Sequence, residues 1–417
     1  EHEIIAWIRD WIASNCAVEP TSFDVPLEEL KHDPRFPGIE VHRASFPGVW
    51  AEVSGGLAGP RVLLLGHADV VPPGELDSWD SNPFEPVLRD GKLFGRGSAD
   101  MKGGLAIAMT IFETVCKRSD RSRMRGTLVL AAVSSEEDGG AGCVAAISRG
   151  LRTDLCIIPE PTGFESDYGK SVVHGLGQVE PPPSLVVAHA GSVTLTITVH
   201  GKQAHASSRL DGICALTKLR IVLDALQAAE QAVNEAEDDP LMQIMKLPYP
   251  TSVGIVRGGD WASTVMGEVQ IQVRVGVSIH ETVEQAVERT QAAITAASRE
   301  DEWLRHHPPL VQVTGGRFDG SRTDPKHPLV GVVSASHEKV FGGAPHIRAV
   351  PYGCDMRLIA RHAGAEATVV YGPGRVSEAH ATNESVDPLA LTRSAEVLED
   401  AVLTLLFQEQ GAHDTRT

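Results

Sequence analysis

Four short, largely apolar runs constrain this chain most, and each is followed by a residue able to bind a metal or carry a proton. Val62–Leu65 ends at Gly66 and is followed by His67 and Asp69, and Thr127–Val133 runs on to Glu136 and Glu137. Leu155–Ile158 leads into Glu160, and Ala367–Tyr371 leads into GPGRVSEAH, which closes on His380. Such runs, bounded by glycine and proline, predict strands buried on both faces, the condition of a parallel sheet covered by helices. Helical patterns fall between and after them, at Gly103–Lys117, Ala141–Arg149, Leu329–Val340 and Leu389–Gln408. The order predicts an α/β fold with a mostly parallel sheet flanked by helices.

The middle of the chain switches period. Ser192–His200 (SVTLTITVH) alternates polar and apolar residues, the mark of a sheet with one covered face. A long helix is predicted at Ile213–Ala236, strands at Ser252–Val256 and Val269–Val277, a helix at Val283–Ser298 and a strand at Leu310–Thr314. This β-α-β-β-α-β order predicts an inserted α+β two-layer sandwich over 191–318, splitting a catalytic part made of 1–190 and 319–417.

Composition removes several classes of function. With 37 Lys+Arg against 55 Asp+Glu the net charge is −18, and no basic cluster offers a surface for nucleic acid or an anionic membrane. No apolar run approaches the ~20 residues of a membrane span. The opening EHEIIAWIRDW reads as an amphipathic helix without the basic and apolar regions of a signal peptide, although the missing initiator Met leaves a removed leader open. Six dispersed cysteines with no C-x-x-C pair predict reduced, buried thiols and a cytoplasmic protein.

In a doubly wound sheet, ligands bind beyond the carboxyl ends of the strands. His67, Asp69, Glu136, Glu137, Glu160 and His380 follow strand ends here, and a glycine-rich turn, GRGSAD, delivers Asp100 just before a helix. Taken singly, each has an ordinary reading: a loop histidine, a solvated acidic run, a capping aspartate. Jointly they form a nitrogen and oxygen ligand set suited to zinc or a neighbouring transition metal. So many carboxylates would repel one another unless more than one cation neutralised them. Two cations sharing a carboxylate would also polarise a carbonyl and activate water.

The blocks HADVVPPG (67–74), GRGSADMKGGLA (95–106), SSEEDGGAG (134–142), PEPT (159–162), GKQAHAS (201–207) and HATNE (380–384) occur in order. The sequence thereby resembles the co-catalytic zinc amidohydrolases that include acetylornithine deacetylase, succinyl-diaminopimelate desuccinylase, the aminoacylases and glutamate carboxypeptidase. The resemblance implies two zinc ions per subunit, with cobalt or manganese as substitutes. His67 and Glu160 would bind one ion, Glu137 and His380 the other, and Asp100 would bridge them. Asp69 would hydrogen-bond the far nitrogen of His67. Glu136 would serve as general base and then general acid for water attacking an amide carbonyl. His205 would stabilise the oxyanion from the partner subunit, which implies a homodimer through the inserted unit.

Substrate recognition is less sharply drawn. Arg274, in QIQVRVGV, matches the family's arginine for a substrate α-carboxylate, and a guanidinium fork suits that group. Arg357, in GCDMRL, is a second candidate. Two departures stand out. Trp261 occupies the place of an asparagine found in many relatives, with Met266 where they carry proline, and the stretch Gly163–Ser184 is longer than usual. That stretch is either a specificity element or a solvated connector. The expected substrate is a small N-acyl amino acid. A carboxypeptidase or dipeptidase on the same machinery is the alternative, and a catalytically silent metal-binding protein the third.

Overall fold

The computed structural model describes residues 1–164 and 180–407. Its larger sheet is built around four parallel strands in the order Arg125–Val133, Leu57–His67, Leu155–Ile158, Ala367–Val370. These are the four apolar runs, and alternate residues of each enter different cores. Val62, Leu64, Leu128 and Leu130 pack beneath the helices His2–Asn15, Gly103–Lys117, Pro328–Phe341 and Pro388–Phe407. Leu63, Leu65, Val129 and Ala131 pack on the other face, with Ala141–Ser148 and Met356–His362. Burial on both sides is why these strands carry no polar alternation.

The flanks of this sheet are antiparallel. Ser45–Ser54 pairs with Arg125–Val133, and Thr21–Pro26 pairs outside it. At the other end Leu185–His189 meets Ala367–Val370 antiparallel, pairs in parallel with Ile347–Val350 and carries the short Ser321–Arg322. None of these flanking strands stands out as an apolar run, because each is short, interrupted by proline or glycine, or half exposed.

A second, four-stranded antiparallel sheet runs Ser252–Gly258, Glu268–Val277, Gly191–His200, Leu310–Phe318. Val193, Leu195, Ile197 and Val199 turn toward the helices Ala215–Glu235 and Val283–Arg299, in a core with Leu219, Val222 and Ile294. The alternate residues face the other way, and Thr194 lies opposite Arg274 on that uncovered face. The period-2 pattern thus leaves one sheet face free to look at something else. The chain enters this sheet at Gly191, just after Leu185–His189 ends, and leaves it at Phe318, just before Ser321–Arg322.

The long Gly163–Ser184 stretch falls mostly on 165–179, outside the described residues, as does the end of the last predicted helix at Gln408. Five of the six cysteines are buried, Cys214 is intermediate, and all six are free thiols. No helix among the described residues is long and apolar enough to cross a membrane.

Candidate active site

The parallel strand ends bring the expected ligand set together. His67 closes its strand and is buried, with Nε2 3.2 Å from Asp100 Oδ1. Asp100 Oδ2 lies 3.6 Å from His380 Nε2, so one carboxylate stands between two imidazoles. His380 Nε2 is also 2.9 Å from Glu137 Oε2. His67, Asp100 and Glu137 offer ligand atoms within 4.8 Å of one another, and so do His67, Glu136 and Glu160. The fit to cations shows in what the carboxylates lack: Glu137 Oε1 and Glu160 Oε1 are buried without a hydrogen-bond partner among the described residues. An orphaned buried acceptor is costly unless a donor or cation meets it.

Electrostatics agree. Burial, reinforced by the Glu160 carboxylate, pushes Glu136 well above the usual carboxylate range. Burial and Asp100 push Glu160 up to about 8. His380 moves up as well, chiefly through its hydrogen bond to Glu137. Like charges crowded in a dry site hold protons that cations would displace.

Backbone donors fix the cluster from behind. Glu384, fully buried, accepts from Arg96 Nη1 at 2.7 Å and from the backbone N–H groups of Gly97, Ala99 and Asp100 at 2.9, 2.9 and 3.0 Å. One carboxylate therefore shapes the whole GRGSAD turn that presents Asp100. The following helix sits close to the Glu160 strand end, since a Cβ at Gly104 would stand 1.8 Å from Pro159 O; only glycine permits that approach. HATNE alone gives Glu384 no task, because its four donors lie more than 280 residues earlier.

Asp69 departs from its expected place. His67 Nδ1 contacts the Asp69 backbone O at 3.1 Å, while the carboxylate Oδ1 is 3.6 Å away, outside hydrogen-bond range. The Asp69 carboxylate instead accepts from the backbone N–H groups of Glu136 and Glu137 at 3.3 and 3.2 Å. It orients the turn that carries Glu136 and Glu137, and its own main chain contacts the imidazole.

A cavity of about 550 Å³ opens over the cluster, lined by Asp100, Glu136, Glu137, Glu160 and His380 on one side. The free face of the four-stranded sheet forms the other, with Thr194 and Arg274; Glu40, Phe318 and Tyr352 complete the wall. No hydrogen bond or ion pair engages the Arg274 guanidinium among the described residues, and burial lowers its pKa with the Glu40 charge opposing that shift.

Arg357 is not part of this wall. It is 1% exposed, donates to Cys354 O and Gly139 O at 2.7 and 2.6 Å, and stacks over the Phe318 ring at 4.2 Å. The expectation of a substrate contact there gives way to a buried brace, because the side chain is closed off from the cavity and two of its donors go to backbone carbonyls. His205 is exposed, with Nδ1 2.7 Å from Ser207 Oγ, and does not line the cavity of its own chain. Trp261 is 73% exposed and lines a separate groove of about 1010 Å³ with Leu210 and Met266. Of the residues that line or brace this cavity, the sequence gives no role to Glu40, Tyr352 or Glu384.

Comparison with known proteins agrees with the site. The profile of Peptidase family M20/M25/M40 matches residues 63–404. Succinyl-diaminopimelate desuccinylase of Nitrosospira multiformis is 28% identical over 403 residues, covering 94% of this chain and 96% of that protein. N-formyl-4-amino-5-aminomethyl-2-methylpyrimidine deformylase of Bacillus subtilis is 25% identical over 353 residues, 82% of this chain and 79% of its own length. In structure the chain is similar to the M20 family metallo-carboxypeptidase Sso-CP2 of Sulfolobus solfataricus, with a TM-score of 0.71, 16% identity and coverage of 97% and 94%, which establishes the fold. The chain belongs to peptidase family M20/M25/M40 and is a metal-dependent amidohydrolase.

Proposed function

We propose that this member of the M20/M25/M40 family removes the acyl group from an N-acyl amino acid. The observation that carries the reading is the convergence in one cavity of carboxylate oxygens on Glu137 and Glu160 and of Arg274, all without a hydrogen-bond partner among the described residues. Both curated relatives described above are named for removing an acyl group, desuccinylase and deformylase, which supports a deacylase.

Two divalent cations, zinc by the donor chemistry, would be held by His67 with Glu160 and by Glu137 with His380, with Asp100 shared. When bound they supply Lewis acidity toward the amide carbonyl and acidify water. Glu136 takes the proton from the attacking water and returns it to the leaving nitrogen. Its raised pKa belongs to the cation-free cluster, and neighbouring cations restore the carboxylate needed for a base. Arg274 clamps the α-carboxylate and so fixes the scissile amide against the strand ends.

The parts 1–190 with 319–417 and 191–318 act in this reading as catalytic base and lid. The edge strand Ser252–Gly258 leaves Val256 58% exposed, next to the groove with Leu210 at 89% and Trp261 at 73%. A second copy covering that face would exclude this apolar surface and complete each site with the other chain's His205. Buried free thiols support a cytoplasmic location.

Glu136→Gln tests the assignment. Turnover of N-acetyl amino acids should fall by roughly 10²–10⁴ with metal content unchanged by elemental analysis. Retained turnover removes Glu136 from the mechanism, and wild-type turnover of dipeptides alone replaces the deacylase with a peptidase.

A further inference from the structure

The turn that carries Glu136 and Glu137 is a strained piece of backbone. Ser135 sits at a φ of +61°, and Gly139 and Gly140 follow at +136° and +80°. Glycine takes such values freely, whereas a residue with a Cβ keeps them only where its surroundings hold it. Asp69 holds the middle of the turn through the Glu136 and Glu137 N–H groups. Its start is held from Asp138, which is 4% exposed. Ser135 Oγ donates to Asp138 Oδ1, while Oδ2 accepts from Val41 N at 3.2 Å and from Arg43 Nε at 3.1 Å. Arg43 Nη2 also lies 4.0 Å from Asp69 Oδ2. One largely buried guanidinium thus faces both carboxylates that shape the turn. Its remaining arm, Nη1, reaches the Glu1 carboxylate beside the first helix.

The segment that carries Arg43 is itself clasped from the facing wall. Leu310–Phe318 loses register against Gly191–His200 between Val313 and Arg317, a bulge that carries Gly315 and Gly316. There Arg317 N donates to Pro37 O at 2.9 Å, and Gly316 N donates to Glu40 Oε1 at 3.4 Å. A Cβ at Gly38 would stand 3.2 Å from Gly315 O, and one at Gly139 would stand 3.1 Å from Gly38 O, so three backbones meet closely here. Without the guanidinium, two buried carboxylates would lose their shared cation, and Ser135 would have a cheaper conformation to fall into.

We propose that Arg43 is a positioning residue for the reaction: through Asp138 and Asp69 it holds the 135–138 turn in the shape that aims Glu136 at water and Glu137 at its cation. This rests on the reading of Glu136 as base and Glu137 as ligand, but part of its test needs neither metal nor turnover.

Arg43→Met keeps the side-chain stem and removes the charge. In the zinc-free variant, hydrogen exchange of peptides covering 134–140 should quicken about tenfold, with peptides of Gly103–Lys117 unchanged. In the zinc-loaded variant, kcat for N-acetyl amino acids should fall about 10²-fold with KM within about twofold, since Arg274 on the other wall is untouched. Arg43→Lys should recover part of both losses, because a charge returns without the fork. Arg43→Met combined with Asp138→Asn should lose little more than Arg43→Met alone, as two cuts in one link would. Glu1→Gln, which cuts only the arm to the first helix, should leave exchange and kcat unchanged. Unchanged exchange or unchanged kcat in Arg43→Met overturns the proposal, and multiplicative losses in the double variant do the same. Equal losses in Glu1→Gln would make Arg43 an anchor of the first helix instead. Faster exchange in Gly103–Lys117 as well would reduce it to a general stabiliser. If the wild type hydrolyses no N-acyl amino acid but exchange quickens at 134–140 alone, the deacylase reading fails and the Arg43 link stands.

Discussion

The two walls of the cavity are held by different means. On the strand-end wall, two carboxylates are anchored from behind: Asp69 by two N–H groups of the 136–137 turn, Asp100 through the turn whose donors gather on Glu384. On the facing wall, Arg274 projects from the free face of an antiparallel sheet with no hydrogen-bond or ion-pair partner among the described residues, and Glu40 is held by one long hydrogen bond. A wall that must keep like charges together against repulsion is over-determined. A wall that must select among substrates keeps its charges unspent for the ligand.

That contrast can be broken experimentally, most severely at His205. If a second chain supplies it, His205→Ala should lose about 10²–10³ in kcat, the usual loss of an oxyanion donor. Mixing it with Glu136→Gln should restore about a quarter of wild-type activity, because half the dimers are mixed and each holds one intact site. No recovery on mixing places His205 outside the neighbouring site. Next, Arg274→Ala should raise KM for N-acetyl amino acids about a hundredfold at unchanged metal content, the loss expected for a charge-assisted bidentate contact. A fall in bound metal would instead tie the two walls into one structural unit. The smallest effect sharpens the comparison from the other side: Glu384→Gln should weaken metal binding about tenfold, read by competition with a chromogenic chelator, and leave the substrate KM nearly unchanged. An unchanged metal affinity would mean that Arg96 and the turn hold Asp100 without it.

The same division decided what the sequence could reveal. His67, Glu136, Glu137, Glu160 and His380 follow largely apolar strands, so hydrophobic pattern alone placed them on one sheet edge, and Asp100 announced itself by its glycine turn. The helices at Gly103–Lys117 and Val283–Arg299 fall within a residue of their predicted limits, since periodicity and a Thr282 capping box define them locally. Thr21–Pro26 and Ser45–Ser54 escaped notice because Pro26, Pro47 and Gly48 interrupt a weak alternation. Arg357 was misjudged because a charged side chain in a promising motif reads alike whether it faces a ligand or two buried carbonyls. Glu40 and Glu384 were invisible for a deeper reason: their meaning lies wholly in partners distant along the chain.

The paired crossing between the two sheets has a consequence for how such a chain can change. Ser192 and Phe318 are register partners, so the segment between them leaves and returns at neighbouring points. In terms of chain entropy it is one long loop whose ends are already closed by the body. Since doubling a loop costs only about 0.6 kcal/mol, its size and outer surface can drift widely before the strand ends register the difference. The bulge at Gly315 and Gly316 lies close to that closure point, which shields the contact with Glu40 from changes made farther out.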